Sequence, residues 1–231
     1  MCGRYTLELN WESLSELMEV AVPAIDASLQ SWNIAPSTQV PVVRMNHGKR
    51  IGAMMRWGLV PPFAKGVATK YSTINARIES ITTSPIYKGP WNRGQRIIMP
   101  ASGFYEWHVN EDGSKQPFYI HLADQEVFGF AGLWDQSVTE DGKVIESCTI
   151  ITMSANPLMA DIHNAKARMP ALLKSEDHEA WLSGTAEQAH EVLQPYPQEL
   201  MVAYPVSSIV NSPKNNSAEL VQRVRASKSR P

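Results

Sequence analysis

The chain opens MCGRYTLELN, with a cysteine directly behind the initiator methionine. Methionine is normally clipped when the next residue is small, and cysteine is small. A processed chain would begin at Cys2, with a free α-amine and a thiol on adjacent carbons. No internal cysteine offers that 1,2-aminothiol. Position alone leaves a second reading open, because any residue can follow methionine and many chains start with a loose stub. Cys148, the other cysteine, sits in the alternating run CTIITM and reads as a buried, inert thiol.

Three further stretches put polar side chains where a plain β core has little use for them. YSTINARIES alternates Asn75, Arg77 and Glu79, a pattern that a half-exposed strand also produces. SGFYEWH sets Glu106 among Phe104, Tyr105 and Trp107. Enclosed by aromatics, that carboxyl would titrate near neutrality and could donate or accept a proton. Strand alternation could equally turn Glu106 to solvent and the rings inward. ANPLMADIHNAKARMP carries His163 ahead of Lys166 and Arg168. A lone histidine is more often structural than catalytic, and His47, His108, His121, His178 and His190 lack even this context. Arg4, Arg77, Lys88, Arg93 and Arg96, with Trp57, Phe63 and Trp91 near them in sequence, could form a basic groove with stacking faces for single-stranded nucleic acid. Scattered arginines also simply face solvent.

These side chains need a scaffold. Residues 11–21 set Leu14, Leu17, Met18 and Ala21 at helical spacing behind Asn10 as an N-cap. From residue 96 to 153 the signals are mostly β, and Asp112-Gly113 and Asp141-Gly142 mark two hairpin turns. SEDHEAWLSG predicts a helix capped by Ser175 and stopped at Gly184, TAEQAHEVL a second short helix, and LMVAYPVS one more strand. The expectation is a single α+β domain over residues 1–210. Its core is a curled, mostly antiparallel β-sheet, or barrel-like, flanked by short helices. Residues 211–231 read as a polar, basic, mobile tail.

Composition narrows the function classes. At 231 residues, with 43% hydrophobic and 19% charged side chains, the chain is an ordinary globular protein. Its net charge of −2 means that affinity for nucleic acid must come from a local patch. Two cysteines exclude a disulfide scaffold, and no CxxC or paired His/Cys spacing supports a metal site. Neither a secretory signal nor a membrane-length apolar run is present, so a cytoplasmic chain is expected. A Gly-rich phosphate loop and a GxSxG elbow are both missing, which weakens nucleotide hydrolase and serine hydrolase readings.

Taken together, MCGRY, WNIAPSTQVPVV, RWGLVPPF, INARIES, SGFYEWH and IH followed by RMP resemble the SOS-response-associated peptidase family, also described as abasic-site-processing proteins. The blocks run in family order from residue 2 to about residue 173. The resemblance implies a curled β fold with a positively charged cleft for single-stranded DNA, no cofactor, no metal and a monomer. It also implies a covalent bond between the N-terminal cysteine and the ring-opened aldehyde of an abasic deoxyribose. By this resemblance Cys2 is the nucleophile, Asn75 orients by hydrogen bonding, Glu106 is the acid/base and His163 a second proton-transfer group. Arg4 and Arg77 look like phosphate contacts, Thr152 matches a family threonine, and Trp57 joins the DNA-binding set. One departure stands out. The family spelling leaves one residue between the histidine and RMP, whereas Asn164, Ala165, Lys166 and Ala167 intervene here. That puts Arg168 as the DNA-contacting arginine in question, with Lys166 as the substitute.

The implied chemistry is physically sound. An α-amine has a pKa of about 7.7–8.0, so roughly a quarter is unprotonated near neutrality, unlike a lysine near 10.4. It can attack the aldehyde to give a Schiff base, and the adjacent thiol closes a five-membered thiazolidine intramolecularly. Two other classes remain open on sequence. An N-terminal-nucleophile amidohydrolase or cysteine peptidase would use Cys2 with Glu106 and His163 to turn over an amide, and a non-catalytic single-strand-binding module would not need Cys2.

Overall fold

The computed structural model describes residues 2–20, 29–67 and 72–224. In chain order its strands begin with β1 (Tyr5–Leu7), β2 (Ser31–Ile34), β3 (Gln39–Asn46), β4 (Lys49–Trp57) and β5 (Asn75–Arg77). They continue with β6 (Arg96–Ala101), β7 (Gly103–Val109), β8 (Lys115–Leu122), β9 (Phe128–Val138) and β10 (Val144–Ser154). The last are β11 (Arg168–Pro170), β12 (Leu172–Leu173) and β13 (Met201–Pro205). Five short helices flank them: α1 (Trp11–Met18), α2 (Lys88–Asn92), α3 (Pro157–Ile162), α4 (His178–Ser183) and α5 (Ala186–Glu191).

The expected curled core is a closed ring. β3 pairs with β4 and β6, β6 with β9, and β9 with β10, all antiparallel, and β10 returns to β4 in parallel register through Ser147↔Arg56 and Cys148↔Trp57. Closure removes free edges, which is how a small barrel protects its backbone groups. The two Asp-Gly turns work as expected: Gly113 and Gly142 take φ of +81° and +82°, a conformation costly for other residues, and join β7–β8 and β9–β10. A second sheet, in the order β13-β8-β7-β1-β2, stacks on the ring. Tyr5 links the two layers. Its ring meets Trp57 edge-on at 5.4 Å and Phe130 at 5.9 Å, contacts worth about 0.5–1.5 kcal/mol each beyond simple burial.

β10 positions the site. Along one of its edges β4 ends at Trp57 and β5 begins at Asn75, with Ile150↔Asn75, Ile151↔Ala76 and Thr152↔Arg77 in parallel register. Further along, Thr152, Met153 and Ser154 pair with β11. One continuous strand therefore fixes INAR and RMP against each other.

The helices differ from expectation in detail. Asn10 caps α1 by accepting from the Ser13 N–H at 2.9 Å. The helix stops at Met18, where Glu19 turns left-handed at φ +52°. Trp11, Leu14 and Met18 form the buried stripe, Leu17 is 56% exposed, and Ala21 lies outside the described residues. Ser175 does not cap. It enters a 3₁₀ turn (Ser175–Asp177) that leads into α4, whereas Thr185 forms a full capping box with Gln188 on α5. Packing also continues past the expected boundary at residue 210. Asn33 Nδ2 donates to the carbonyls of Ser212 and Asn215 at 3.0 and 2.7 Å, the Trp32 N–H donates to Asn216 Oδ1 at 2.7 Å, and Leu220 is fully buried. The polar letters that suggested a mobile tail at 211–224 are used as hydrogen-bonding partners. Residues 225–231 lie outside the described residues.

Candidate functional site

Cys2 lies just before β1, where the chain runs along the edge of β7 and the Tyr105 N–H donates to the Arg4 carbonyl at 3.0 Å. Only 1% of Cys2 is exposed. Asn75, at the start of β5, donates from Nδ2 to the Cys2 carbonyl at 2.9 Å. The Tyr87 hydroxyl in turn donates to the Asn75 carbonyl at 3.1 Å. Burial pushes the Cys2 thiol well above its ordinary pKa and the charge of Glu106 pushes it further, while the Arg4 backbone N–H opposes both. Both effects favour the neutral thiol over the thiolate.

Glu106 is 2% exposed on β7. Alternation along this strand does not sort side chains into wet and dry faces. Phe104, Tyr105 and Glu106 are all buried, because β7 is covered on both sides, and Trp107 is half-buried. His163 ends α3, is 6% exposed, and sets Nδ1 2.9 Å from the Arg168 carbonyl. A carbonyl only accepts, so Nδ1 is the donor in this contact. The residues between His163 and Arg168 fold back on that histidine: the Lys166 and Ala167 N–H groups donate to its carbonyl at 3.1 and 2.8 Å. Ala167 takes φ +46° to close the turn and return the chain to β11.

Glu106 and His163 face one cleft of about 540 Å³, which Ile74, Trp107, Lys115 and Lys166 also line. Cys2 adjoins it through Asn75 and Glu106. The four expected catalytic residues are therefore brought together from four separate segments. Trp107, Lys115 and Asn211 were not anticipated here. The Trp107 indole N–H donates to Asn211 Oδ1 at 2.8 Å, which holds the ring at the cleft. Trp107 carried a signal in its place one residue after Glu106; Lys115 and Asn211 carried none.

The expected DNA contacts divide. Arg77 and Lys166 are exposed, and Lys166 lines the cleft. Arg168 keeps 11% of its side chain exposed, pairs with Glu79 and donates to the Thr152 carbonyl at 2.7 Å. Arg4 is committed to Asn33 Oδ1 and the carbonyls of Val210 and Asn211 at 2.7, 2.9 and 3.1 Å. Two assignments are corrected. Trp57 is fully buried, with its indole N–H donating to the Ile74 carbonyl at 3.0 Å, and cannot stack on a base. Thr152 is fully buried too, where its hydroxyl accepts from Arg168 at 3.3 Å and braces that arginine. The alternative groove also disperses. Arg93 pairs with Asp135, Arg96 stacks on Trp181, and Trp91 is buried.

Among the described residues no group of three or more His, Cys, Asp or Glu side chains is arranged to hold a metal, and no helix is long and apolar enough to cross a membrane.

Comparison with known proteins identifies the family. The family described as SOS response associated peptidase (SRAP) matches residues 1–213. The abasic site processing protein YoqW of Bacillus subtilis is 38% identical over 227 residues, covering 96% of this chain and 99% of that protein. YedK of Escherichia coli, also named an abasic site processing protein, is 31% identical over 232 residues, covering 97% of this chain and 100% of its own. A crystal structure of a protein from Bacteroides thetaiotaomicron superposes with a TM-score of 0.86 at 25% identity, covering 97% of this chain and 100% of that one. The chain belongs to the SOS-response-associated peptidase family.

Proposed function

We propose that this chain processes abasic sites in single-stranded DNA by forming a covalent adduct through Cys2. The observation that carries the reading is the setting of Cys2: buried at a strand end, its carbonyl held by Asn75, its thiol beside Glu106, and a cleft lined by Glu106 and His163 next to it.

Removal of Met1, by an aminopeptidase or by self-cleavage, frees the Cys2 amine. Glu106 donates a proton to the sugar ring oxygen as the hemiacetal opens to the C1′ aldehyde. The amine adds to that carbon and water leaves, which forms an imine. The thiol then adds across the C=N bond, sulfur to carbon, while its proton passes by way of Glu106 to nitrogen. The product is a thiazolidine, with no oxidant or cofactor consumed. A neutral thiol suits this order, because the sulfur is needed only after the imine exists. His163 takes a proton during ring opening or returns one on reversal. An imine that escapes ring closure is open to β-elimination of the 3′ phosphate, a lyase outcome. Arg77 and Lys166 supply phosphate contacts, and their exposure supports that role. A cytoplasmic monomer suffices for each step.

The test is intact-protein mass spectrometry after mixing the protein with a single-stranded oligonucleotide carrying one abasic site. The expected result is a one-to-one adduct, seen only with free Cys2 and only with the abasic strand. No adduct from a chain verified to begin at Cys2 would overturn the reading, and turnover of an amide substrate would replace it.

A further inference from the structure

The stretch between His163 and Arg168 contains a contact whose role is not explained by the turn itself. Asn164 lies across the free edge of β7 and engages both backbone groups of Val109. Its Oδ1 accepts from the Val109 N–H at 3.0 Å, and its Nδ2 donates to the Val109 carbonyl at 2.9 Å. One side chain thus copies the two-bond pairing that a neighbouring strand would make. A second tie lies beside it: His108 Nδ1 is 2.9 Å from the Asp161 carbonyl in α3. The edge is the one that β1 uses. Tyr5 pairs with Phe104 and Thr6 with Gly103, and the Tyr105 N–H still reaches the Arg4 carbonyl. Extending that register back to Cys2 sets it level with Trp107, so Asn164 takes the edge two residues beyond, at Val109.

We infer that Asn164 is a positioning residue that fixes His163 against Glu106 around the amino end of the processed chain. It joins the segment bearing His163 to the strand bearing Glu106, and it ends the β7 edge where the nucleophile's strand must stop. Neither group depends on Asn164 for its identity or protonation; what Asn164 sets is the width of the gap between them. The inference rests on the abasic-site chemistry proposed above. Its distinguishing consequence is kinetic. Loosening the clamp widens the gap and slows adduct formation without weakening DNA binding, because the phosphate contacts lie on Arg77 and Lys166.

The experiment uses the full chain with verified Cys2 termini and measures adduct formation against DNA concentration for wild type, Asn164→Ala and Asn164→Asp. Hydrogen exchange of the Val109 amide is followed in each. Asn164→Ala should lose Val109 protection and lower the maximal rate about tenfold, with half-saturation within about twofold of wild type. Asn164→Asp keeps the acceptor for the Val109 N–H and should restore protection and part of the rate. An Asn164→Ala rate within twofold of wild type despite lost protection would overturn the inference, as would a rise in half-saturation that accounts for the whole defect. If Asn164→Ala does not fold, Asn164→Asp carries the test: a defect confined to the maximal rate supports the clamp, and a wild-type rate or a defect in half-saturation alone overturns it. An absence of adduct in wild type would instead strike the underlying reading.

Discussion

Cys2 and Cys148 are nearly indistinguishable by the usual measures of thiol reactivity. They are 1% and 0% exposed, and burial pushes both thiols well above their ordinary range. What differs is the surrounding structure. Cys148 sits mid-strand in the closed ring, paired to Trp134 on one side and Trp57 on the other, with Arg56 as the only charge acting on it. Cys2 sits just before β1, under the influence of the buried Glu106 and tied by Asn75 to the segment that borders the cleft. A depressed thiol pKa is the common signature of a nucleophilic cysteine. On the reading proposed above, the group that starts the reaction is an amine, so the sulfur is not needed until the imine exists.

The comparison breaks most sharply if the wrong cysteine carries the adduct. Cys2→Ala should abolish the stable adduct altogether, and Cys148→Ala should leave its yield unchanged, both read by intact mass. Next in size is Glu106→Gln, which should slow adduct formation by about 100-fold while binding to an undamaged strand stays within twofold. Equal rates would remove Glu106 from the chemistry.

The closed side of the molecule should respond in stability instead. His178, at the start of α4, has its pKa lowered to about 4, first by burial and then by the Arg50 charge, with Glu19 opposing. The unfolded histidine binds a proton that the folded one refuses, so this contribution is complete above about 6.5 and is lost as pH falls towards 4. Denaturant midpoints between pH 7 and pH 4 should fall less steeply in His178→Gln than in wild type. Cys148→Ala should lower stability by about 1–2 kcal/mol through the small void it leaves in the ring, measured by the same titration. Smallest of all, Glu79→Ala should cost under about 1 kcal/mol, because the partner of Arg168 is half exposed.

A barrel-like core was legible in the sequence, and the pairing that closes it was not. The Asp-Gly hairpins, the Asn10 cap and the grouping of Cys2, Asn75, Glu106 and His163 all follow from short stretches or from the family's motif order. The ring depends on β10 lying parallel to β4, across about ninety residues of intervening chain, and no local periodicity encodes that pairing. That contact hides Trp57, and further along the same strand β5 and β11 hide Thr152. The polar letters of residues 211–224 mislead for a related reason. Asn215 and Asn216 look solvated in isolation, but Asn33 and Trp32 supply the groups that bind them.

The hydrogen bonds of Arg4 carry a consequence for assembly. Two residues from Cys2, Arg4 is secured by Asn33 and also by the carbonyls of Val210 and Asn211, more than two hundred residues away in sequence. The segment that carries Cys2 is therefore fully anchored only when the Ser208–Asn211 turn has docked against it.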